Sequence, residues 1–217
     1  INQPLVYTDV PKPQAGPNEV VIKLKAASVN HRDVWIQKGL YPGIKSSVVL
    51  GSDGAGVVES VGEHVDTALI GQAVIINPSH EWGNNPSFYG EDFKILGLPD
   101  DGTFAEYVKV PRKYVYPKPE HLSFEEAAAL PMAGLTAWRA LMGRGNYRPG
   151  EKVLITGAGG GVSLFALLFA IEAGAEVWVT SGSDEKIRRA VSLGAKGGIN
   201  YKDPSWYRDL LLKTKSP

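Results

Sequence analysis

The chain has 217 residues, with 23 Lys+Arg, 23 Asp+Glu, 25 Gly, 15 Pro and no Cys. That length allows one or two domains with a buried core, and a content of 43% hydrophobic and 21% charged residues excludes wholesale disorder. A formal net charge of zero and a pI near 7.1 favour neither nucleic acid nor an anionic membrane as partner, and the lack of cysteine excludes disulfides, thiolate nucleophiles and cysteine-based zinc sites.

The stretch from Ile1 to Gln14 carries Pro4, Pro11 and Pro13 and lacks the basic start and apolar core of a signal peptide. Val20, Ile22, Leu24 and Ala26 alternate with Val21, Lys23 and Lys25, which predicts a half-buried strand after the Gly16-Pro17-Asn18 turn. Val48 to Leu50 leads into a glycine-rich run, Gly51 to Gly56, followed by Val57, Val58 and Val61 and closed by Gly62. Ala73 to Ile76 and Phe104 to Val110 read as further strands. Short strands with Gly-rich turns predict a small barrel-like β domain over residues 1–115. Asn77 to Gly102 is a long polar stretch with Trp82, Phe88, Tyr89 and Phe93, and too long for an ordinary connection.

From residue 116 to 217 helix signals take over. Ser123 and Glu126 form a capping box that opens a helix over 124–130, interrupted by Pro131 and resumed from Met132 to Leu141. A turn at Arg148-Pro149-Gly150 leads into a strand over 152–156, a helix over 162–173, a strand over 176–180 and a helix capped by Ser183. A third strand over 198–201 and a helix over 206–213, introduced by Asp203-Pro204, complete the series. Strands alternating with helices predict parallel βαβ units. The longest apolar run, Val162 to Ile171, falls short of the roughly 20 residues a bilayer requires. The expectation is a soluble, cytoplasmic protein.

Between the first of these strands and its helix stand Gly157, Ala158, Gly159, Gly160 and Gly161, with Val162 following. Strand, glycine loop and helix in this order suit a dinucleotide: glycines let backbone N–H groups approach a pyrophosphate, and the helix end supplies positive potential. The strict G-x-G-x-x-G spacing is broken at Val162. Spaced as G-x-x-G-x-x-G, the loop has Ser163 as its third member. The alternative is a strand–helix turn without ligand. An NAD site usually places an acid at the end of the second strand, whereas this strand ends in Thr180, Ser181, Gly182 and Ser183. Lys186 and Arg189 follow within reach of a 2′-phosphate, unless they are solvated helix charges. NADPH is therefore expected over NADH.

Several segments carry a resemblance. Ala26-Ala27-Ser28-Val29-Asn30-His31-Arg32-Asp33, Gly39-Leu40-Tyr41-Pro42, Leu50 to Val58, Gly102 to Tyr107, Leu135-Thr136-Ala137-Trp138, the glycine loop and Ile199-Asn200-Tyr201 together resemble the medium-chain dehydrogenase/reductase superfamily. The match is closest to its zinc-free, quinone oxidoreductase-like branch, which includes zinc-type alcohol dehydrogenase-like proteins. The resemblance implies an α/β protein: a GroES-like β-barrel domain, then a Rossmann domain, with the active site in the cleft between them. Because members exceed 300 residues, it also implies that this Rossmann domain is truncated after its third strand.

The same resemblance allows a test for zinc. Zinc alcohol dehydrogenases carry Cys where this chain has Asn30, a His-Glu pair where it has Ser52-Asp53, and a second Cys near Met132 or Ala133. Asn, Ser and Met or Ala cannot build a tetrahedral zinc site, and the four-Cys structural lobe, which falls within 77–102, has no cysteine here. His80-Glu81 lacks a second ligand at sensible spacing and suits a surface or packing role. Without a Lewis acid, reduction of a quinone or an activated C=C bond is favoured over alcohol oxidation. By resemblance Asn30, Asp33 and Tyr41 line the nicotinamide end, with Tyr41 as polar handle on a small-molecule substrate, and Thr136 lies near the cofactor. Tyr41 could instead be merely exposed, and Asp33 could hold a strand–loop junction. Ser181, Lys186 and Tyr201 would form the adenosine-2′-phosphate subsite. Pocket walls would include loops 39–47 and 77–101. Homodimers are common in the resembling family. The competing functional reading is a catalytically idle NADPH-binding sensor or accessory protein on the same fold.

Overall fold

The computed structural model describes residues 5–44 and 47–214. Residues 1–4 of the N-terminal stretch, Lys45 and Ser46 of loop 39–47, and residues 215–217 lie outside the described residues. Contacts divide the chain into two compact units, Ile1–Met132 and Ala133–Pro217, each with its own core.

The first unit contains, in order, β1 (Glu19–Ser28), α1 (His31–Gln37), β2 (Asp53–Val61), β3 (Ala73–Ile76), β4 (Ser79–His80), β5 (Lys94–Ile95), β6 (Tyr107–Pro111), β7 (Val115–Pro117) and α2 (Phe124–Ala128). Five of the strands form an antiparallel sheet in the order β6-β1-β2-β3-β7. Its two outer strands, β6 and β7, are joined only by the 3-10 turn Arg112–Tyr114. Laid flat, five strands spaced about 4.8 Å apart would separate the outer pair by about 19 Å. The connecting backbone reaches at most about 14 Å. The sheet therefore curls, and residues two apart on its strands, such as Val20 with Ile22, Val74 with Ile76 and Val108 with Val110, meet in one core.

The glycine run is not the turn that its composition suggests. Asp53 to Gly56 belong to β2, and at Gly56 a Cβ would lie 2.3 Å from the Lys23 carbonyl oxygen of β1. Here glycine marks a close approach of two backbones. The strand expected from Phe104 starts only at Tyr107, because the Thr103 and Phe104 amides donate to the Gly51 and Leu50 carbonyls instead of joining the ladder. Within the long polar segment, β4 pairs with β5. Trp82, Tyr89 and Phe93 pack on one another with ring centroids 5.0–5.9 Å apart, and His80 is buried and stacked on Tyr114 at 4.0 Å.

Pro131 opens a helix where the sequence reading had it interrupt one. α2 ends at Ala128 and α3 (Pro131–Trp138) begins anew, because proline suits a first helical turn and not an interior. A π-helical segment, Arg139–Arg144, continues it. Then come β8 (Lys152–Ile155), α4 (Gly161–Glu172), β9 (Glu176–Ser181), α5 (Asp184–Ser192), β10 (Gly197–Asn200) and α6 (Trp206–Thr214). The three strands are parallel, in the order β10-β9-β8. Ile155, Leu167, Ala170, Val177, Val179 and Ala190 form the core of this unit. No helix among the described residues is long and apolar enough to cross a membrane.

Candidate functional site

Each unit carries one candidate site. In the second, the chain leaves β8 at Ile155 and turns through Gly157–Gly161 into α4. Gly157 and Gly159 adopt φ of +71° and +106°, conformations that a side chain resists. A Cβ on Gly157 would meet no atom within 4 Å, so the loop forms an open cradle there. The Ala158 amide ties the loop to β9 by donating to the Thr180 carbonyl at 2.8 Å. Ser163, standing where a third glycine is usual, holds the loop together: its Oγ donates to Gly157 O (2.9 Å) and accepts from Gly160 N (3.2 Å). The first-turn amides of Gly161, Val162 and Ser163 have no carbonyl one turn back within α4. Cradle, free-ended helix and open space together fit a pyrophosphate.

Ser181, at the end of β9, is buried. Its Oγ donates to Ala158 O and accepts from Ser183 N, each at 3.3 Å, so the hydroxyl joins the glycine loop to the next turn. Lys186 lays its aliphatic stem over Gly159, where a Cβ would come within 2.6 Å of Lys186 Cδ. Asp184, the nearest acid after β9, accepts from Asn200 Nδ2 at 2.8 Å. The half-exposed Tyr201 ring lies over Gly182. Lys186 and Arg189 border a pocket floored by Leu164, Leu167, Val179 and Leu193. Thr136 is exposed on α3.

In the first unit a polar cluster is built where β1 passes into α1. The Asn30 amide N–H donates to Asp33 Oδ2 at 2.8 Å, so Asp33 caps α1 from within its first turn. Asp33 is buried, and burial pushes its carboxyl up. Arg32 is buried beside it. Its Nη1 donates to Ser52 Oγ at 2.6 Å and to the Leu96 carbonyl at 2.9 Å. The guanidinium lies 5.1 Å from the Tyr41 ring, and Tyr41 packs against Ile36, Leu50 and Leu98.

Asp53 stands at the centre of this cluster. It is 1% exposed. Its Oδ2 accepts from Asn30 Nδ2 and its Oδ1 from the Met132 backbone N–H, both at 2.9 Å. Burial pushes its pKa up to about 7: the loss of water outweighs the two hydrogen bonds, with Asp33 adding to the rise and Arg32 opposing it. The sequence reading treated Asp53 only as the counterpart of a zinc-site residue and did not propose it as a site residue. The available signal was one acid within a run otherwise made of small and apolar residues, Gly51 to Val58. Its partners, 23 residues upstream and 79 downstream, are set by the register Ser28 to Asp53 and by the start of α3.

The positions of zinc ligands in alcohol dehydrogenases thus converge here, but the donors do not fit zinc. Asn30 contributes an amide, Met132 only its backbone N–H, and Ser52 a hydroxyl engaged by Arg32. The single carboxylate has both oxygens in hydrogen bonds. Among the described residues no three His, Cys, Asp or Glu side chains gather to hold a metal ion.

Residues 16–120 match the alcohol dehydrogenase GroES-like domain. The chain is 42% identical to the zinc-type alcohol dehydrogenase-like protein YogA of Leptosphaeria maculans, over 99% of this chain and 64% of that protein. Among solved structures it is similar to one described as an NAD-dependent alcohol dehydrogenase, with 43% identity and a TM-score of 0.90 over 96% of this chain and 63% of the other. A quinone oxidoreductase from Pseudomonas syringae pv. Tomato DC3000 is 31% identical, with a TM-score of 0.80 over 97% and 58% of the two chains. The chain spans less than two thirds of the length of each.

Proposed function

Because the chain belongs to the medium-chain dehydrogenase/reductase superfamily, we propose that this protein is a zinc-independent, NADPH-dependent oxidoreductase acting on quinones or α,β-unsaturated carbonyls. The observation that carries the reading is the Asn30–Asp53–Met132 cluster, a hydrogen-bonded set in place of metal ligands. Hydride addition to a quinone or an enone leaves negative charge on the substrate oxygen. With no Lewis acid, that charge must be met by aimed hydrogen-bond donors. The Tyr41 phenol would be one donor on this chain; Asn30 Nδ2, which donates to Asp53 Oδ2, would be the other once released from it, and Asp33 fixes the Asn30 backbone. The quinone oxidoreductase likeness supports the same substrate class.

Bound NADPH would supply the hydride. On this chain Gly157 to Val162 would hold its pyrophosphate, and Thr136 would lie near the cofactor. Lys186, laid over Gly159, would pair with the 2′-phosphate, with Arg189 behind it. Ser181 would keep that corner closed without presenting a carboxylate, and Tyr201 would stack on adenine. The names of several relatives specify NAD; the Ser181–Lys186 corner is what favours NADPH on this chain. The test is an acceptor screen of the full-length protein with NADPH and NADH, comparing quinones, enones and aldehydes, together with elemental analysis. Quinone or enone reduction by NADPH without bound zinc supports the reading, and Tyr41→Phe or Asn30→Ala should then lower turnover without changing NADPH affinity. Zinc-bound protein that oxidises alcohols overturns it. NADPH binding with no acceptor reduced favours a sensor.

A further inference from the structure

We propose that Asp53 is a positioning residue whose protonation reverses the Asn30 side-chain amide, turning the atom that Asn30 offers the substrate from an acceptor into a donor. The inference rests on the reading of Asn30 as a residue that meets the substrate oxygen.

The two donors on Asp53 differ in one respect: the Met132 backbone N–H on Oδ1 at 2.9 Å cannot be exchanged for an acceptor, whereas the Asn30 amide can, so a proton on Oδ2 is the one that the cluster can accommodate with a new hydrogen bond. That oxygen faces Asn30 Nδ2 at 2.9 Å. With that proton on Oδ2 directed at Asn30, an O–H and an N–H would face each other, and two donors cannot share one hydrogen bond. Rotating the amide by half a turn resolves the conflict, because Asn30 Oδ1 then accepts from the Asp53 O–H. The backbone of Asn30 stays in place, held by its own N–H on Asp33 Oδ2. The contact that opposes rotation, Asn30 Nδ2 to the Ser28 carbonyl, is 3.5 Å long and weak.

Each amide state offers a different group. With Asp53 ionised, Nδ2 is committed inward and Oδ1 is the remaining polar atom, an acceptor that repels a developing oxyanion. With Asp53 protonated, Nδ2 and its two N–H groups take that place and stabilise the oxyanion. The charged groups that act on Asp53 are Arg32 and Asp33 of α1. β1 faces it with Ser28, α3 with the Met132 amide, and the Thr103 hydroxyl donates to its backbone carbonyl. Arg32 and Asp33 pull in opposite directions, and burial leaves the group titrating close to neutrality.

The test follows the Asn30 side-chain amide resonances of the full-length protein by NMR as pH is raised from acid to alkaline, assigned by their loss in Asn30→Ala. A shift with its midpoint near 7 in the wild type, absent in Asp53→Asn, is expected. Resonances that do not titrate in the wild type, or that titrate unchanged in Asp53→Asn, overturn the proposal. The wild-type titration decides the matter even where Asp53→Asn fails to fold. In parallel, kcat/KM for the quinone or enone that serves as acceptor should fall about tenfold per pH unit above the midpoint in the wild type, with no such break in Asp53→Asn. An amide that titrates in a protein reducing no acceptor upholds the switch and removes the functional reading. Acceptor reduction whose pH profile is the same in both proteins does the reverse.

Discussion

Asp53 and His80 are both buried and both perturbed, with opposite consequences for stability. Burial raises Asp53 from 3.8 to about 7, so between about pH 4 and 7 the folded chain keeps a proton that the unfolded chain has released. Stability falls as pH rises through that window, by roughly 4 kcal/mol at about 1.4 kcal/mol per unit. Burial lowers His80 below its usual 6.5, so its contribution is present above 6.5 and is lost as pH falls below it. Between pH 6.5 and about 7, above the His80 window, the Asp53 decline continues. Urea denaturation of this chain should show stability declining there and levelling off above about 7, and Asp53→Asn should lessen the decline, whereas His80→Phe should soften the loss on the acid side. Lys186 follows a strand end without an acid, and its aliphatic stem lies over Gly159. Lys186→Ala in the full-length protein should weaken NADPH about tenfold or more, the worth of a charge-assisted contact, and leave NADH unaffected in calorimetry.

Elements with local causes were the legible ones. The α2 capping box needs only two side chains three residues apart, and Ser123 and Glu126 exchange bonds with each other's backbone at 3.2 and 2.9 Å. Ser123→Ala should cost about 1 kcal/mol in thermal or urea unfolding. The role of the 51–56 glycines is not legible along the chain, because a turn and a close strand crossing demand the same residue. Only the pairing of β2 with β1 tells them apart. A Cβ at position 56 would lie 2.3 Å from Lys23 O and 2.9 Å from the Leu24 Cα, both backbone atoms that cannot swing aside. Gly56→Ala should therefore destabilise the first unit by about 2–3 kcal/mol, whereas Gly71→Ala, next to open space at φ +85°, should cost only the strain of its backbone conformation. Equal losses at the two positions in a denaturant series would contradict the close-approach account.

Across the molecule, α4 stands out as a helix that is apolar nearly all round, GVSLFALLFAIE, yet leaves Leu164 and Leu168 on one face at 37% and 40% exposure. Helices of that composition are normally covered on every side. The 217-residue chain should therefore associate reversibly in sedimentation velocity, and Leu164→Lys with Leu168→Lys should shift it toward monomer. A chain that stays monomeric at high concentration would sink that expectation.

The sequence by itself determined whatever depends on neighbours along the chain: the strand–glycine–helix order at 152–173, the parallel βαβ alternation, and the end of β9 in Thr180 and Ser181 without an acid. Only the tertiary structure decided where Asp53 lies and what it bonds, since its partners are 23 and 79 residues away and its pKa is set by the water removed around it. Register and burial are properties of several segments at once, so no single stretch of sequence contains them.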